Sequence, residues 1–204
     1  MKTLTLSPKI IIDKYNKINF QIDEDLSNFI NFLKVKTLPI ELKNNKLKLN
    51  SLKNSNGLIL CGGGDIYSKK KTKLNLIRDN YEKKLFNYFY KKNKPILAIC
   101  RGFQLIADLN KIKLLKVGGH VGTTHSLFIT KNTFITQKHL TVNSYHNYIL
   151  KDLPNNYLNI SCTKDGSIEI AAHKYKKILC LMFHPERKMK SKKIILKSIK
   201  KFFK

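Results

Sequence analysis

Two short runs, Gly57 to Cys61 (GLILC) and Pro95 to Ile99 (PILAI), are apolar throughout, and they are separated by a stretch with a different period. In that stretch Ile77, Tyr81, Leu85 and Phe89 recur at four-residue steps, with Lys and Asn on the other side. A helix of about three turns joining two buried strands is the reading, which makes a βαβ unit and predicts a mostly parallel sheet. The expected class is α/β, a mostly parallel central sheet flanked by helices.

The flanking segments extend this pattern. Asp25 to Val35 puts Leu26, Phe29, Ile30 and Leu33 on one face behind an acidic start, Asp23, Glu24 and Asp25, which suits a helix N-terminus. Leu4 to Ile12 and Thr37 to Leu42 are weaker strand candidates, the latter placed near an edge by Pro39. After Asn110 the chain becomes β-rich, with short runs at 126–130, 139–142, 158–162, 167–171 and 178–183. A final Lys-rich helix carries Ile194, Ile195, Ser198, Ile199, Phe202 and Phe203 on one face, suited to docking on the sheet. No repeat or low-complexity linker interrupts the 204 residues, so one domain over 1–204 is expected.

Composition narrows the function classes. Hydrophobic residues are 42% and aromatic residues 10%, enough for a buried core and incompatible with a collagen-like or wholly disordered chain. No run approaches the roughly 20 apolar residues of a membrane span, and Met1 to Asp13 lacks the apolar run of a secretory signal, so a cytoplasmic location is expected. Cys61, Cys100, Cys162 and Cys180 are widely spaced, which fits thiols and neither a zinc ribbon nor a disulfide framework. Forty Lys and Arg against 13 Asp and Glu give a net charge of +27, which attracts polyanions. The abundance of Lys, Asn and Ile together also fits A+T-rich codons filling tolerant surface positions. Arg187 to Lys204 holds nine basic residues and no acidic one, yet no recognition helix, RNP-like aromatic stripe or zinc finger accompanies it, so nucleic acid is not the expected partner. Membrane binding is not expected either, because the apolar face of that helix is needed by the sheet.

Three turn segments carry candidate chemistry. Cys100 ends one buried strand and is followed at once by the helix-like Arg101-Gly102-Phe103-Gln104-Leu105-Ile106-Ala107. A cysteine at such a turn projects its sulfur above the sheet, where a helix N-terminus favours thiolate, although inert cysteines at strand ends are common. His184 and Glu186, in Phe183-His184-Pro185-Glu186, follow another apolar strand and supply a base with an orienting acceptor, or else a chance surface HxE. Gly62-Gly63-Gly64-Asp65 exposes backbone N–H groups able to hold an oxyanion, a phosphate or simply a tight βα connection.

Together with Val142-Asn143-Ser144-Tyr145-His146, these segments resemble the class I glutamine amidotransferase-like hydrolases, and within them the γ-glutamyl amide hydrolases of the C26 peptidase type. The resemblance implies a flavodoxin-like fold, nucleophilic Cys100, His184 as proton relay and Glu186 as its orienter. It implies an oxyanion hole at the N–H groups of Gly63 and Arg101, and a substrate-binding place for Gly64. Gln104 would hold the glutamyl moiety, and Asn143, Ser144, Tyr145 and His146 would line its pocket. The reaction would pass through a γ-glutamyl thioester, with no cofactor.

Two features bear on the substrate. Lys69, Lys70 and Lys71 follow the glycine turn and are expected at the crevice mouth near Arg101, where they favour an anionic small-molecule leaving group; a solvated lysine loop is the alternative. With that charge the chain looks like the γ-glutamyl-CDP-amidate hydrolases of capsule phosphoramidate synthesis; hydrolases of γ-glutamyl-aminobutyrate or other amines, and glutaminase subunits, are the alternatives. His120 and His125 are read as polar loop, pocket-lining or metal-ligating residues; no metal is expected, because no cysteine or acidic residue flanks them at ligand spacing.

Overall fold

The computed structural model describes residues 2–38, 40, 42–43, 46–131, 135 and 137–204. Nine strands form the main sheet: β1 (Thr3–Ser7), β2 (Lys36–Leu38), β3 (Gly57–Leu60), β4 (Ile96–Ile99), β5 (Val121–Ile129), β6 (His139–Tyr145), β7 (Tyr157–Cys162), β8 (Ile168–His173) and β9 (Ile178–Leu181). Their order across the sheet is β6-β5-β7-β8-β9-β4-β3-β1-β2. From β2 to β9 neighbouring strands are parallel, and from β9 to β6 they are antiparallel.

Helices α1 (Glu24–Leu33), α2 (Lys73–Lys91), α3 (Arg101–Leu109) and α4 (Lys192–Phe202) cover the parallel half. The strand period of two decides which helix each residue meets. Ile59, Leu97, Ile99, Leu179 and Leu181 share one core with Leu26, Phe29 and Leu33 of α1 and Ile195, Ile199 and Phe202 of α4. Their alternates Leu58, Leu60, Ile96, Ala98 and Cys180 pack with Tyr81, Leu85 and Phe89 of α2 and Phe103 and Ile106 of α3. Strands covered on both faces read as unbroken apolar runs, which is why β3 and β4 are the most legible strands of the chain.

α1 begins where its acidic start indicates, with the Asp23 side chain accepting from the Leu26 N–H at 2.9 Å. The Leu4 to Ile12 candidate is two strands: Pro8 lies between β1 and Lys9–Ile12, which leaves the sheet to form a ribbon with Ile18–Gln21. β2 is the edge strand; Pro39 and Glu41, within that candidate, lie outside the described residues. α2 runs 19 residues, longer than its apolar pattern shows, and its buried face includes Arg78 and Glu82 in place of Ile77. β5 also starts earlier than its apolar run, because its first residues alternate with solvent and carry little hydrophobic signal. Among the described residues no helix is long and apolar enough to cross a membrane.

Candidate active site

β3, β4 and β9 are adjacent and parallel, so their C-terminal ends lie side by side, and each of the three sequence segments begins there. Cys100 follows β4 with φ 46° and ψ −98°, outside the conformations a side chain ordinarily allows. That strain, on the order of 1–3 kcal/mol, is held by neighbours: the Cys100 N–H donates to Leu181 O at 2.6 Å and its carbonyl accepts from Gln104 N–H at 3.0 Å. Gly102 is required beneath it, since a Cβ there would lie 2.6 Å from Leu60 O. The sharp turn aligns the first N–H groups of α3 beside a sulfur that is 6% exposed.

His184 Nδ1 donates to Glu186 Oε1 at 2.6 Å, both groups being buried. Burial disfavours the imidazolium, but the adjacent Cys100 thiolate and the Glu186 carboxylate outweigh it and raise the His184 pKa to about 10. Gly62 packs against the ring, and a Cβ there would lie 2.5 Å from His184 Cε1. Asn143 grips the His184 backbone from both sides, its Nδ2 donating to the carbonyl and its Oδ1 accepting from the N–H, each at 2.8 Å.

The glycine turn is oriented by a residue that the apolar pattern of α2 passes over. The Arg78 guanidinium donates to Cys61 O at 3.0 Å, Gly62 O at 3.2 Å and Gly63 O at 2.5 Å. In a trans peptide the N–H points opposite the carbonyl, so with Gly62 O held by Arg78 the Gly63 N–H is turned away from it. Positive φ at Gly63 (87°) and Gly64 (76°) makes the turn possible. Arg78 is paired with Glu82 at 2.9 Å, and Glu82 also binds Ser7 and Arg101. Such a buried network leaves no formal sign in hydropathy, because Arg78 and Glu82 look like solvated residues at i and i+4.

Arg101 therefore differs from expectation. Its side chain is 0% exposed, paired with Glu82 and Asp79, with Nε donating to Asp65 O at 3.2 Å, so its charge serves the interior. The lysine segment likewise turns elsewhere: Lys69 Nζ donates to Leu114 O at 3.0 Å over the Tyr148 ring, while Lys70 and Lys71 are exposed. The cleft of about 270 Å3 that runs along Gly62 to Gly64, His184 and Glu186 is lined by the cationic side chains of Lys9 and Arg187 and by the carboxylates of Asp23 and Glu186. Nothing in the hydrophobic pattern marks Lys9 and Arg187, which come together from separate ends of the chain.

The remaining candidates divide. Gln104 is buried, its Nε2 donating to Tyr148 O at 3.3 Å. Of the 143–146 segment, Asn143 is occupied with the His184 backbone, Ser144 donates to His120 O at 2.5 Å, and His146 turns toward Glu169. Only Tyr145 in this segment presents an exposed side chain, 41% accessible, with Arg187 over its ring at 4.5 Å. Cys61, which follows β3, is buried, and burial pushes its thiol pKa far up. Cys61, Cys100, Cys162 and Cys180 are all free thiols.

The Peptidase C26 family model matches residues 19–186, which spans all of these elements from the α1 cap to Glu186. The chain belongs to the Peptidase C26 family. It is 34% identical over 130 residues to the γ-glutamyl-CDP-amidate hydrolase of Campylobacter jejuni, covering 64% of this chain and 62% of that protein. It is 29% identical over 154 residues to YvdE, a putative glutamine amidotransferase-like protein of Lactococcus lactis, covering 63% and 65%. The matched regions thus span less than two thirds of either relative. A GMP synthase subunit homologue from Thermoplasma acidophilum superposes with TM-score 0.75 at 20% identity, over 100% of this chain and 94% of its own. A Thermotoga maritima glutamine amidotransferase superposes with TM-score 0.67 at 18% identity, over 91% and 76%. The fold is that of the class I glutamine amidotransferases, a flavodoxin-like arrangement, as the motifs imply.

Proposed function

We propose that this protein hydrolyses a γ-glutamyl amide through a covalent thioester on Cys100. The observation that carries the reading is the strained Cys100 elbow beside a His184 whose pKa is raised to about 10, with Glu186 on its Nδ1. A His184 that keeps its proton to this pH can hold the proton taken from the Cys100 thiol, which frees the sulfur to attack.

The Cys100 sulfur attacks the γ-carbonyl carbon, and the oxyanion is held by the N–H groups of Gly63 and Arg101. His184 gives its proton to the leaving nitrogen as the C–N bond breaks, which leaves the γ-glutamyl thioester and a neutral imidazole. That imidazole then takes a proton from the attacking water. Collapse of the second tetrahedral intermediate releases glutamate and restores the Cys100 thiolate beside protonated His184. Glu186 keeps the His184 ring in register through both halves. The lack of a cofactor requirement follows from this route.

Within the class, γ-glutamyl-CDP-amidate is the substrate we favour, yielding glutamate and cytidine diphosphoramidate for capsule phosphoramidate synthesis. It is supported by the likeness to the Campylobacter jejuni hydrolase; the cleft charge does not decide it, because Lys9 and Arg187 are matched there by Asp23 and Glu186. The Lys69 to Lys71 segment no longer carries that argument.

The test is glutamate release from glutamine, γ-glutamyl-aminobutyrate, γ-glutamyl-putrescine and γ-glutamyl-CDP-amidate, with Cys100→Ala in parallel. Release confined to the nucleotide conjugate and lost in the variant is the expected result. Preference for the amines would discard the anionic leaving group and keep the cysteine route. Turnover surviving in Cys100→Ala would sink the mechanism.

A further inference from the structure

A second cluster of functional groups lies in the antiparallel half. β5 meets β7 only through Phe128 opposite Cys162 and Ile129 opposite Ser161. The other end of β5 therefore runs past the end of β7, over the turn at Thr163 to Gly166 that leads into β8. His125 of β5 faces Glu169 of β8 there, with Nδ1 donating to Oε1 at 2.9 Å. His120, just before β5, and His146, just after β6, complete the group. One nitrogen or oxygen from each of the four residues lies within 4.8 Å of the other three. The three imidazoles meet edge to face, with centroids 4.5, 5.1 and 5.7 Å apart.

Hydrogen bonding within the cluster does not satisfy it. His120 Nδ1, both nitrogens of His146 and Glu169 Oε2 are buried with no hydrogen-bond partner among the described residues. His146 Nε2 lies 3.3 Å from Glu169 Oε1 but off the hydrogen-bonding direction. Four such atoms on three neighbouring side chains are unusual, since buried polar groups are nearly always paired. The surroundings are those of a ligand set. His120 Nε2 is held by Asp165 Oδ2 at 3.1 Å, and Asp165 is itself fixed by Thr163 and by the Ser167 N–H. A carboxylate on one ring nitrogen leaves the other as a directed lone pair, the usual support of a metal-binding histidine. The His120 carbonyl is fixed as well, accepting from Ser144 Oγ and the His146 N–H.

A cleft of about 420 Å3 lined by His120, His125, Thr163 and Asp165 connects the group to solvent.

We propose that His120, His125, His146 and Glu169 bind a divalent transition-metal cation, zinc by preference, cross-linking β5, β6 and β8. Three imidazoles and one carboxylate suit zinc and not the all-oxygen coordination of magnesium or calcium. Four protein ligands make a closed, structural site. Tetrahedral bonds of about 2.0–2.2 Å would draw the four atoms inward by a small relaxation of side chains. Sequence spacing missed this because the acidic ligand lies 44 residues beyond His125 and arrives by strand pairing. The site adjoins the other one: the Glu169 carbonyl accepts from the Met182 N–H at 2.8 Å, two residues before His184, and Asn143 and Ser144 hold the His184 backbone and the His120 carbonyl in turn.

The test uses the full-length protein without a histidine tag, expressed with zinc supplementation and purified without chelator. Elemental analysis of the wild type, Cys100→Ala and the double variant His120→Ala/His125→Ala should give about one zinc per chain in the first two and a loss of at least about tenfold in the third. Stripped wild-type protein should take up Co2+ with the intense visible bands of tetrahedral nitrogen and oxygen ligands and without thiolate charge transfer; this measurement decides the matter if the double variant fails to fold. Chelation should lower the wild-type melting temperature and leave that of the double variant unmoved. A wild type that carries no zinc and produces no Co2+ bands overturns the proposal. So does metal that persists in the double variant, or that disappears with Cys100.

Discussion

Two histidine–glutamate pairs belong to the same sheet, one on the bend after β9 and one between strands, each joined from Nδ1 to Oε1, at 2.6 Å in His184–Glu186 and 2.9 Å in His125–Glu169. The first pair is two residues apart on one bend after β9. The second is 44 residues apart on strands with β7 between them. Their neighbours differ. His184, beside Cys100 and Glu186, keeps its proton up to about pH 10, whereas burial, with His125 and His146 alongside, lowers the pKa of His120. The same pair of residue types thus stands beside a cysteine at a strained turn in one place and beside two further imidazoles in the other.

The comparison breaks most sharply at Cys100. Cys100→Ala should reduce glutamate release by a factor of about a thousand or more while leaving metal content alone, checked by steady-state kinetics beside elemental analysis. Glu186→Gln should cost about a hundredfold or more in kcat/KM. It should also move the alkaline limb of the pH profile from about 10 toward the ordinary histidine value of 6.5. The stability sign follows from the same shift. The native protein holds the His184 proton more tightly than the unfolded chain, so this contribution is complete below about pH 6.5 and disappears as pH rises through 10. Thermal melts of the wild type should therefore decline across that window more steeply than those of Glu186→Gln.

Smaller changes sharpen the account of how the first pair is held. Gly62→Ala, whose methyl would meet the His184 ring, should cost on the order of 1–3 kcal/mol in denaturant melts and lower kcat more than it raises KM. Arg101→Met leaves Glu82 partly unpaired in the interior and should destabilise by about 3 kcal/mol in the same assay. Lys70→Ala and Lys71→Ala, on exposed side chains, should stay within about 0.5 kcal/mol of wild type.

What was legible followed chain locality. Cys100 with its glycine, the HPE bend and the glycine turn are each contained in a few residues, because a strand end and the turn after it are contiguous. The apolar runs of β3 and β4 were legible because both their faces are covered. Arg78 was not: a buried charge whose partners are Glu82 and the carbonyls of a turn reached by folding looks like any surface arginine. The inward turn of Arg101, Asn143 and Ser144 was equally hidden, since a motif names a residue and not the direction of its side chain.

The sequence by itself determined the βαβ unit of β3, α2 and β4, the family, and three turn segments whose chemistry is local. Only the tertiary structure decided that β3, β4 and β9 end together, that Lys9 and Arg187 flank the cleft in place of the lysine loop, and that Glu169 meets three histidines. The physical reason is that side-chain periodicity reports burial within one element. Which elements become neighbours is set by strand pairing and packing, between residues far apart along the chain.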